Sequence, residues 1–182
     1  CGIEVVRCDL EKDHLDVNEA SDCVVFTEVL EHLNPYYVGY TLTEINKALR
    51  HRGRLILTTP NIASLFRRLR LLIGRQPQYG LHVHEYTKDE VEDLLRKYGF
   101  CIIDSHYSDV NDLSFIDGDE SDYLRANSFA YLLRVLVKHP TRLNLLRALA
   151  YPLLKIVPSL RMLIVIVAEK CGGSEPMVVN RW

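Results

Sequence analysis

Short apolar runs alternate with amphipathic segments through the first 106 residues of the chain. The apolar runs have the length and composition of strands buried in a sheet, and they cover residues 3–8, 23–27, 55–59 and 100–103. Between them, apolar residues recur at helical spacing in residues 35–50, 64–74 and 87–98. A further strand is predicted near residues 161–169. This alternation of strands and helices predicts an α/β fold built on a parallel sheet.

Residues with strong backbone preferences mark where these elements begin and end. Asn34 followed by Pro35 predicts the start of the first helix. Thr87, with Glu90 three residues later, predicts an N-terminal capping box, and the helix that it starts should stop at Gly99. Gly53 is predicted to supply the positive φ angle of the turn that leads from the first helix into the next strand.

The composition changes beyond residue 106. Residues 109–122 contain six acidic residues and no basic one, which predicts an exposed loop. Residues 124–168 contain seven basic residues and no acidic one, and two leucine-rich stripes predict a helical hairpin inserted at about residues 123–157. The stripes are formed by Phe129, Leu132, Leu133 and Leu136, and by Leu143, Leu145, Leu146 and Leu149. They either pack on each other and on Phe66 and Leu69, or one of them lies on an anionic membrane.

The overall composition is that of a globular domain. The chain has 182 residues, 48% of them hydrophobic, which favours one domain with a sizeable core. The net charge of −2 gives no reason to expect general affinity for nucleic acid. No apolar run approaches the about 20 residues that cross a bilayer. The five cysteines form no Cys-x-x-Cys pair, which predicts free thiols acting as small apolar fillers in a reducing, cytosolic compartment.

The most specific chemical pattern follows the predicted strand at residues 23–27. Glu28, Glu31 and His32 stand at positions i, i+3 and i+4, so a helical turn would place all three side chains on one face. That face would lie at the carboxyl end of a strand, where open α/β sheets bind their ligands. A solvated helix face without chemistry is the alternative interpretation.

Two carboxylates and two imidazoles can together hold a divalent cation, and His82 or His84 could supply the second imidazole. Mixed oxygen and nitrogen ligands favour Mn²⁺, Fe²⁺ or Zn²⁺, although carboxylate-rich sites also take Mg²⁺. Such an ion can bind two neighbouring hydroxyls of a substrate and lower the pKa of the one that attacks. His84 is then a candidate general base, or it simply lines the pocket.

Three segments resemble class I S-adenosylmethionine-dependent methyltransferases. They read EVLEHLNP from Glu28, ALRHRGRLILTTPN from Ala48 and HEYTKDEVEDLLRKYGF from His84. The resemblance covers about residues 3–106 and the strand near 161–169. It implies the carboxy-terminal part of a Rossmann-like methyltransferase sheet, with helices on both faces and a helical insert before the last strand. The turn that usually reads Pro-Gly-Gly in the family is His51-Arg52-Gly53 here.

The resemblance also implies a binding site for the methyl donor, S-adenosylmethionine. In the family, an acidic residue after the corresponding first strand hydrogen-bonds the adenine, and Asp9 matches it; a turn aspartate is the alternative interpretation. The resemblance implies further donor contacts from Leu10, Phe26, Thr27 and Glu28. Two groups of the superfamily, which act on the 3′-terminal ribose of small RNAs and on catechol intermediates, share Glu-x-x-Glu-His and a distant His. His82 matches that distant residue better than His84.

The function implied is methyl transfer to an oxygen of a small hydroxylated acceptor, such as a sugar, a catechol or a lipid precursor, with assistance from a metal. RNA ribose fits less well, because the chain is slightly acidic. The alternative is a degenerate methyltransferase domain that binds a partner. Since no glycine-rich donor turn is present, we expect an amino-terminally truncated domain over residues 1–170, inactive alone, with a loose tail over 171–182. The expected location is cytoplasmic, with peripheral membrane contact as an option for the basic helices.

Overall fold

Four strands form one mixed sheet in the part of the chain that the computed structural model describes, namely residues 2, 5–15, 17, 19–109 and 129–171. The strands are β1 (Ser21–Thr27), β2 (Leu49–Pro60), β3 (Phe100–Ser108) and β4 (Leu163–Lys170), and they lie in the order β1-β2-β4-β3. β1 and β2 are parallel, with Val24 opposite Leu55. Main-chain bonds at its two ends show that β4 runs antiparallel to its neighbours. The nitrogen of Asn61, just after β2, bonds the carbonyl oxygen of Met162, just before β4, and the nitrogen of Cys171, just after β4, bonds that of Gly99, just before β3.

Five helices accompany the sheet in the described residues, and the α/β prediction is confirmed. They are α1 (Pro35–Ala48), α2 (Leu65–Leu72), α3 (Lys88–Lys97), α4 (Phe129–Lys138) and α5 (Arg142–Ile156). The described residues divide into two compact units. Unit 1 takes its residues from Cys1–Thr59, Gln78–Ser105 and Val165–Trp182, and unit 2 from Pro60–Pro77 and His106–Ile164. No helix among the described residues is both long and apolar enough to cross a bilayer.

The core of unit 1 forms where α1 and α3 bury one face each. Leu42 and Ile45 of α1 are 1% and 2% exposed, and Val91 and Leu95 of α3 are fully buried. These residues recur at the spacing of three to four that brings side chains onto one face of a helix. The helices predicted from that periodicity are therefore present.

The predicted helix boundaries are confirmed where they depend on local hydrogen bonds. The Asn34 side chain accepts a hydrogen bond from the main-chain nitrogen of Tyr36, at 3.1 Å. Thr87 and Glu90 form both halves of the capping box. Gly99 follows α3 with φ +84°, a conformation that residues with a Cβ rarely adopt.

A charged network fixes the outer side of α3. Glu92 pairs with Lys88 and with Arg96, at 2.6 Å in the second case, and it also hydrogen-bonds Ser105. Desolvation alone would raise the pKa of Glu92, but the hydrogen bonds from these neighbours outweigh it and lower the pKa to about 2. The ionised form of Glu92 is thus the one that the fold stabilises.

The prediction of a strand at residues 3–8 is wrong for residues 5–8, which are irregular; residues 3 and 4 lie outside the described part of the chain. Val5 is 88% exposed and Val6 is 75% exposed. A β-branched run forms a strand only when its main chain pairs with a neighbour. Residues 5–8 pair with none of the four described strands.

The segment predicted as a turn before β2 lies inside that strand, and its conformation also differs from the prediction. Arg52, and not Gly53, has the positive φ angle, +61°. Gly53 is required for space, because a Cβ there would lie 2.9 Å from the carbonyl oxygen of Arg50 and 3.1 Å from that of Ser21. β2 accordingly begins at Leu49, six residues before the strand predicted from the apolar run.

The prediction of free thiols that act as apolar fillers is wrong for two cysteines, and the two others that the structure describes form no disulfide but are not buried. Cys101 and Cys171 form a disulfide, with their Cα atoms 5.6 Å apart. Cys23 is exposed and Cys8 is partly exposed. The disulfide joins the start of β3 to the end of β4, two antiparallel neighbours whose proximity depends on sheet topology and not on local spacing. Cys1 lies outside the described residues.

The predicted helical hairpin is present in unit 2, where α4 packs against α5. Its leucine stripes do not pack as the first interpretation expected, since Leu145, Leu146 and Leu149 are 50%, 57% and 70% exposed. The acidic stretch beyond Asp109 and the tail beyond Cys171 lie outside the described residues, as do the side chains of Phe129, Leu132 and Leu143.

Candidate functional site

The chain changes direction where β1 ends, and the candidate site begins there. Glu28 has φ +53°, a conformation that costs a non-glycine residue free energy, and its main-chain nitrogen bonds the carbonyl oxygen of Thr58 at 3.0 Å. A short 3₁₀ turn, Leu30–His32, follows. The prediction of one helical face carrying Glu28, Glu31 and His32 is therefore wrong, because Glu28 precedes the turn and is not helical.

Glu31 is the buried centre of the site, at 1% exposure. Its Oε2 accepts a hydrogen bond from the Thr59 hydroxyl at 3.0 Å, and its Oε1 lies 3.9 Å from Nε2 of His32. Its main-chain carbonyl accepts hydrogen bonds from the nitrogens of Val83 and His84, at 2.8 and 3.1 Å. Glu31 thus holds the distant histidine loop with its main chain and offers one carboxylate oxygen to the site.

His82 is brought to this point by that loop. Its Nδ1 lies 2.7 Å from Oε1 of Glu85, whose side chain is fully buried, and the same oxygen accepts a hydrogen bond from the main-chain nitrogen of Tyr79 at 3.0 Å. The His82 ring stands edge-on to the ring of His32, with 4.9 Å between centroids. Because Nδ1 is engaged by Glu85, Nε2 is the ring nitrogen that remains for a ligand.

Three of the four predicted metal ligands converge. Glu31, His32 and His82 each offer one ligand atom, and these atoms lie within 4.8 Å of one another. Ligand bonds of about 2.1 Å would bring such atoms to at most about 4.2 Å apart, so small side-chain rotations would suffice. One carboxylate and two imidazoles suit Zn²⁺, Fe²⁺ or Mn²⁺, and a histidine whose second nitrogen bonds a carboxylate is usual at metal centres. The donor set fits a divalent ion.

Glu28 lies outside this three-residue group, but its carboxyl interacts with it. Burial raises the pKa of Glu28, while a hydrogen bond from the Thr58 hydroxyl, at 2.9 Å, opposes that effect. The charge of Glu31 raises the pKa further, and His82 and His32 lower it. Glu28 is therefore electrostatically coupled to all three residues of the cluster.

His84, the predicted general base, is not a member of the cluster. Its ring lies against the ring of Tyr86, with 4.5 Å between centroids. Its main-chain nitrogen is one of the two that bond Glu31. This position is compatible with either interpretation of His84 that the sequence left open.

The predicted donor residues fall at two places in unit 1. Phe26 and Thr27 end β1, with Phe26 buried. Leu10 is held to α1, because its carbonyl oxygen accepts a hydrogen bond from the Thr41 hydroxyl at 2.9 Å. Asp9 closes its own turn through Oδ1 to the nitrogen of Glu11, at 3.0 Å. That bond, followed by one from Lys12, lowers the pKa of Asp9, as expected of a turn aspartate.

Sequence reasoning missed the residues that orient the cluster. Thr59, near the end of β2, bonds Glu31, and Glu85, three residues after His82, bonds His82; the neighbouring Thr58 bonds Glu28, beside the cluster. A polar pair at the end of an apolar run was the available signal for the threonines. The role of Glu85 depends on burial, which the sequence pattern does not show. A surface depression of unit 1, lined by Tyr86, Glu90, Asp93, Leu94 and Lys97, contains none of the predicted site residues.

Several solved structures share the fold. A SAM-dependent methyltransferase from Thermotoga maritima, described as a possible histamine N-methyltransferase, is 15% identical with a TM-score of 0.52, and the match covers 93% of this chain and 65% of that one. A SAM-dependent methyltransferase from Archaeoglobus fulgidus is 15% identical with a TM-score of 0.50, over 84% of this chain and 61% of that one. The cyclase SpnF is 13% identical with a TM-score of 0.50, over 91% of this chain and 55% of that one.

These likenesses show the Rossmann-like methyltransferase fold, and the chain spans between 55% and 65% of the length of the three proteins. No curated protein is significantly similar to the chain. The model of a methyltransferase domain family matches residues 5–105, more than half of the chain and all of the cluster described above. The chain therefore belongs to this methyltransferase domain family.

Proposed function

We propose that the chain is part of an S-adenosylmethionine-dependent methyltransferase that acts, with the help of a divalent metal, on an oxygen of a small hydroxylated acceptor. A sugar, a catechol or a lipid precursor would offer the neighbouring hydroxyls that such a site can bind. Family membership supports methyl transfer as the reaction. The cluster of Glu31, His32 and His82 carries the rest of the proposal, because methyl transfer alone requires no such group of ligands.

Each residue of the site has a distinct proposed part. Glu31, His32 and His82 hold the ion, while Thr59 and Glu85 fix the orientation of the first and third of these ligands. A divalent ion bound there would lower the pKa of an acceptor hydroxyl and fix the position of its oxygen. Glu28, which interacts electrostatically with the cluster, is proposed as an outer ligand or as a contact to the donor.

The proposed transfer breaks the bond between the donor sulfur and its methyl group and forms a bond from that methyl group to the acceptor oxygen. The hydroxyl proton passes to His84, and S-adenosylhomocysteine leaves. Asp9, Leu10, Phe26 and Thr27 are proposed donor contacts on the family resemblance.

Metal titration tests the proposal without requiring turnover. Isothermal titration with Mn²⁺ and with Zn²⁺ should detect one site in the wild-type chain. Glu31→Gln and His82→Gln should each weaken that binding at least about tenfold, since each removes one of three protein ligands. Both substitutions preserve side-chain volume, and thermal melts would verify that the variants are folded.

His14→Gln is the matched control. His14 is another unit 1 histidine with Nδ1 near a buried carboxylate, that of Glu44 at 3.2 Å, but it is not in the cluster. It should bind metal like the wild type. A folded wild-type chain that binds neither ion, or a His82→Gln variant that binds as well as the wild type, would overturn the metal proposal. The first result would favour a degenerate domain that binds a partner.

A further inference from the structure

Helix α5 of unit 2 buries two polar residues beside Leu154, whereas its other described leucines and Ile156 are exposed. Asn144 is fully buried and Arg147 is 5% exposed. The exposed side of the same helix carries five large apolar residues, whose exposures range from 42% to 78%: Leu145, Leu146, Leu149, Leu153 and Ile156. A surface helix normally buries its leucines and exposes its asparagines and arginines.

The exposed residues form a continuous stripe. At about 100° of rotation per residue, the five fall within a sector about 100° wide. That is the width of the stripe with which a helix usually packs on a protein core. The stripe therefore has the size of a docking face, whereas scattered surface leucines need no explanation.

Polar contacts on the buried side fix this orientation. The Thr141 side chain accepts a hydrogen bond from the nitrogen of Asn144 at 3.1 Å and caps the helix. The Asn144 side chain in turn donates to the carbonyl oxygen of His139 at 2.9 Å, across the turn between α4 and α5. Rotating α5 to bury its leucines would break these bonds.

Helix α4, which packs on α5, adds basic residues to apolar ones. Leu133 and Val137 are 43% and 84% exposed, one helical turn apart, and each is followed by an exposed basic residue, Arg134 or Lys138. Arg142, in the first turn of α5, is exposed as well. Residues 129–168 contain no acidic residue.

Helix α2 of the same unit has the same character. Leu71, Leu72 and Ile73 at its end are between 63% and 80% exposed. Arg68, Arg70 and Arg75 around them are exposed too, and Pro60–Pro77 contains no acidic residue. The combination of exposed apolar and basic side chains thus occurs twice in unit 2, on segments far apart in sequence.

We propose that the exposed face of the α4–α5 hairpin docks on an anionic lipid surface. The apolar stripe would enter the boundary between headgroups and acyl chains, and Arg134, Lys138 and Arg142 would face the lipid phosphates. With 15 residues, α5 is too short to span a bilayer and suits a position in the plane of the interface. The charge of the face is complementary to an anionic membrane. This inference does not depend on the metal site or on the acceptor.

Vesicle sedimentation of the whole chain tests the inference. Wild-type protein should pellet with phosphatidylcholine vesicles that contain 30% phosphatidylserine. Its binding constant for these vesicles should be about 10²-fold higher than for vesicles of phosphatidylcholine alone. The combined change Arg134→Gln, Lys138→Gln and Arg142→Gln should remove most of that preference. Val137→Glu and Leu149→Glu should each weaken binding at least about tenfold, because each places a carboxylate among the exposed apolar residues of the hairpin, the first on α4 and the second on α5.

Matched controls separate this face from general effects. The first control combines Arg7→Gln, Arg52→Gln and Lys97→Gln, which removes three exposed charges from unit 1. The second is Tyr36→Glu, which alters a residue of α1 that is 93% exposed. Both control variants should bind vesicles like the wild type. All substituted side chains are exposed, so thermal melts should be unchanged.

Three outcomes would overturn the inference. The first is a failure of wild-type protein to pellet with the anionic vesicles at low salt. The second is vesicle binding that stays the same in the hairpin charge variant and in the Val137→Glu and Leu149→Glu variants. The third is a wild-type chain that self-associates in sedimentation velocity, becomes monomeric as Leu149→Glu and ignores vesicles. That result would assign the face to a second copy of the chain.

Discussion

Removal of the Glu85 carboxylate tests whether a buried hydrogen bond prepares His82 to bind metal. One oxygen of Glu85 accepts hydrogen bonds both from His82 Nδ1, at 2.7 Å, and from the nitrogen of Tyr79, at 3.0 Å. Glu85→Ala deletes this oxygen and leaves both donors without it, in surroundings that are partly buried. Glu85→Gln can keep a carbonyl oxygen at the same position, because the main-chain nitrogen of Tyr79 requires an acceptor there.

The two variants should therefore differ in a graded way. A buried donor without an acceptor costs about 1 to 3 kcal/mol, so Glu85→Ala should lower the free energy of unfolding by about 3 kcal/mol. Loss of the carboxylate that orients a histidine ligand typically weakens metal binding about 10- to 100-fold. Glu85→Gln, which replaces charge-assisted hydrogen bonds with weaker neutral ones, should weaken metal binding by only about a few-fold.

Mn²⁺ titration and urea unfolding of the same preparations measure both quantities. Glu44→Ala is the matched control, because one Glu44 oxygen likewise accepts from His14 Nδ1 and from the nitrogen of Leu15, both at 3.2 Å. It should destabilise the chain and leave metal affinity unchanged. The reasoning fails if Glu85→Ala binds Mn²⁺ as tightly as the wild type, or if Glu44→Ala weakens binding equally.

Three further variants test the scaffold. The double variant Cys101→Ser, Cys171→Ser opens a cross-link between residues 70 apart and should lower the free energy of unfolding by up to about 4 kcal/mol. Five free thiols in denatured wild-type protein would disprove the disulfide. Thr87→Ala removes half of the capping box and should cost about 1 kcal/mol in urea unfolding, with no change in metal affinity. Glu92, whose pKa is lowered from 4.5 to about 2, stabilises the fold above pH 4.5. Stability should fall by about 1 to 2 kcal/mol as the pH drops from 4.5 to 2, and Glu92→Gln should remove this part of the dependence.

The elements that sequence reasoning predicted correctly are those specified by neighbours in the chain. The start of α1 needs only Asn34 and Pro35, and the start of α3 needs only Thr87 and Glu90. Caps of this kind satisfy main-chain nitrogens within one helical turn, so the sequence contains all the information. The buried faces of both helices follow in the same way from the spacing of their apolar residues.

The incorrect predictions concern structure that distant segments create. Residues 5–8 have the composition of a strand, but composition does not supply a pairing partner. Cys101 and Cys171 meet because β3 and β4 are neighbours, and that order is a property of the whole sheet. Gly53 is needed for space, because the main chain of Ser21 passes close to it. The positive φ angle falls on its neighbour Arg52.

The exposed leucines of α5 are a different kind of failure. Their spacing predicted correctly that the helix has an apolar face, but periodicity does not tell which face is buried. In the structure the buried side is the one that carries Asn144, whose side chain donates a hydrogen bond to the carbonyl oxygen of His139 in the turn before the helix. The stripe predicted for the core therefore lies on the surface.

The candidate site combines both kinds of information in Glu31. The spacing of Glu28, Glu31 and His32 suggested a common helical face, which the structure does not contain. Glu31 and His32 nevertheless meet His82, because the main-chain carbonyl of Glu31 bonds the two residues that follow His82. Any residue at position 31 has that carbonyl, whereas the acceptor for Thr59 and the anionic candidate ligand both belong to the Glu31 carboxylate. Substitution of the Glu31 side chain should therefore abolish the ligand while the histidine loop stays docked. Loss of metal binding in a folded Glu31→Gln protein would thus report on chemistry, and not on a displaced loop.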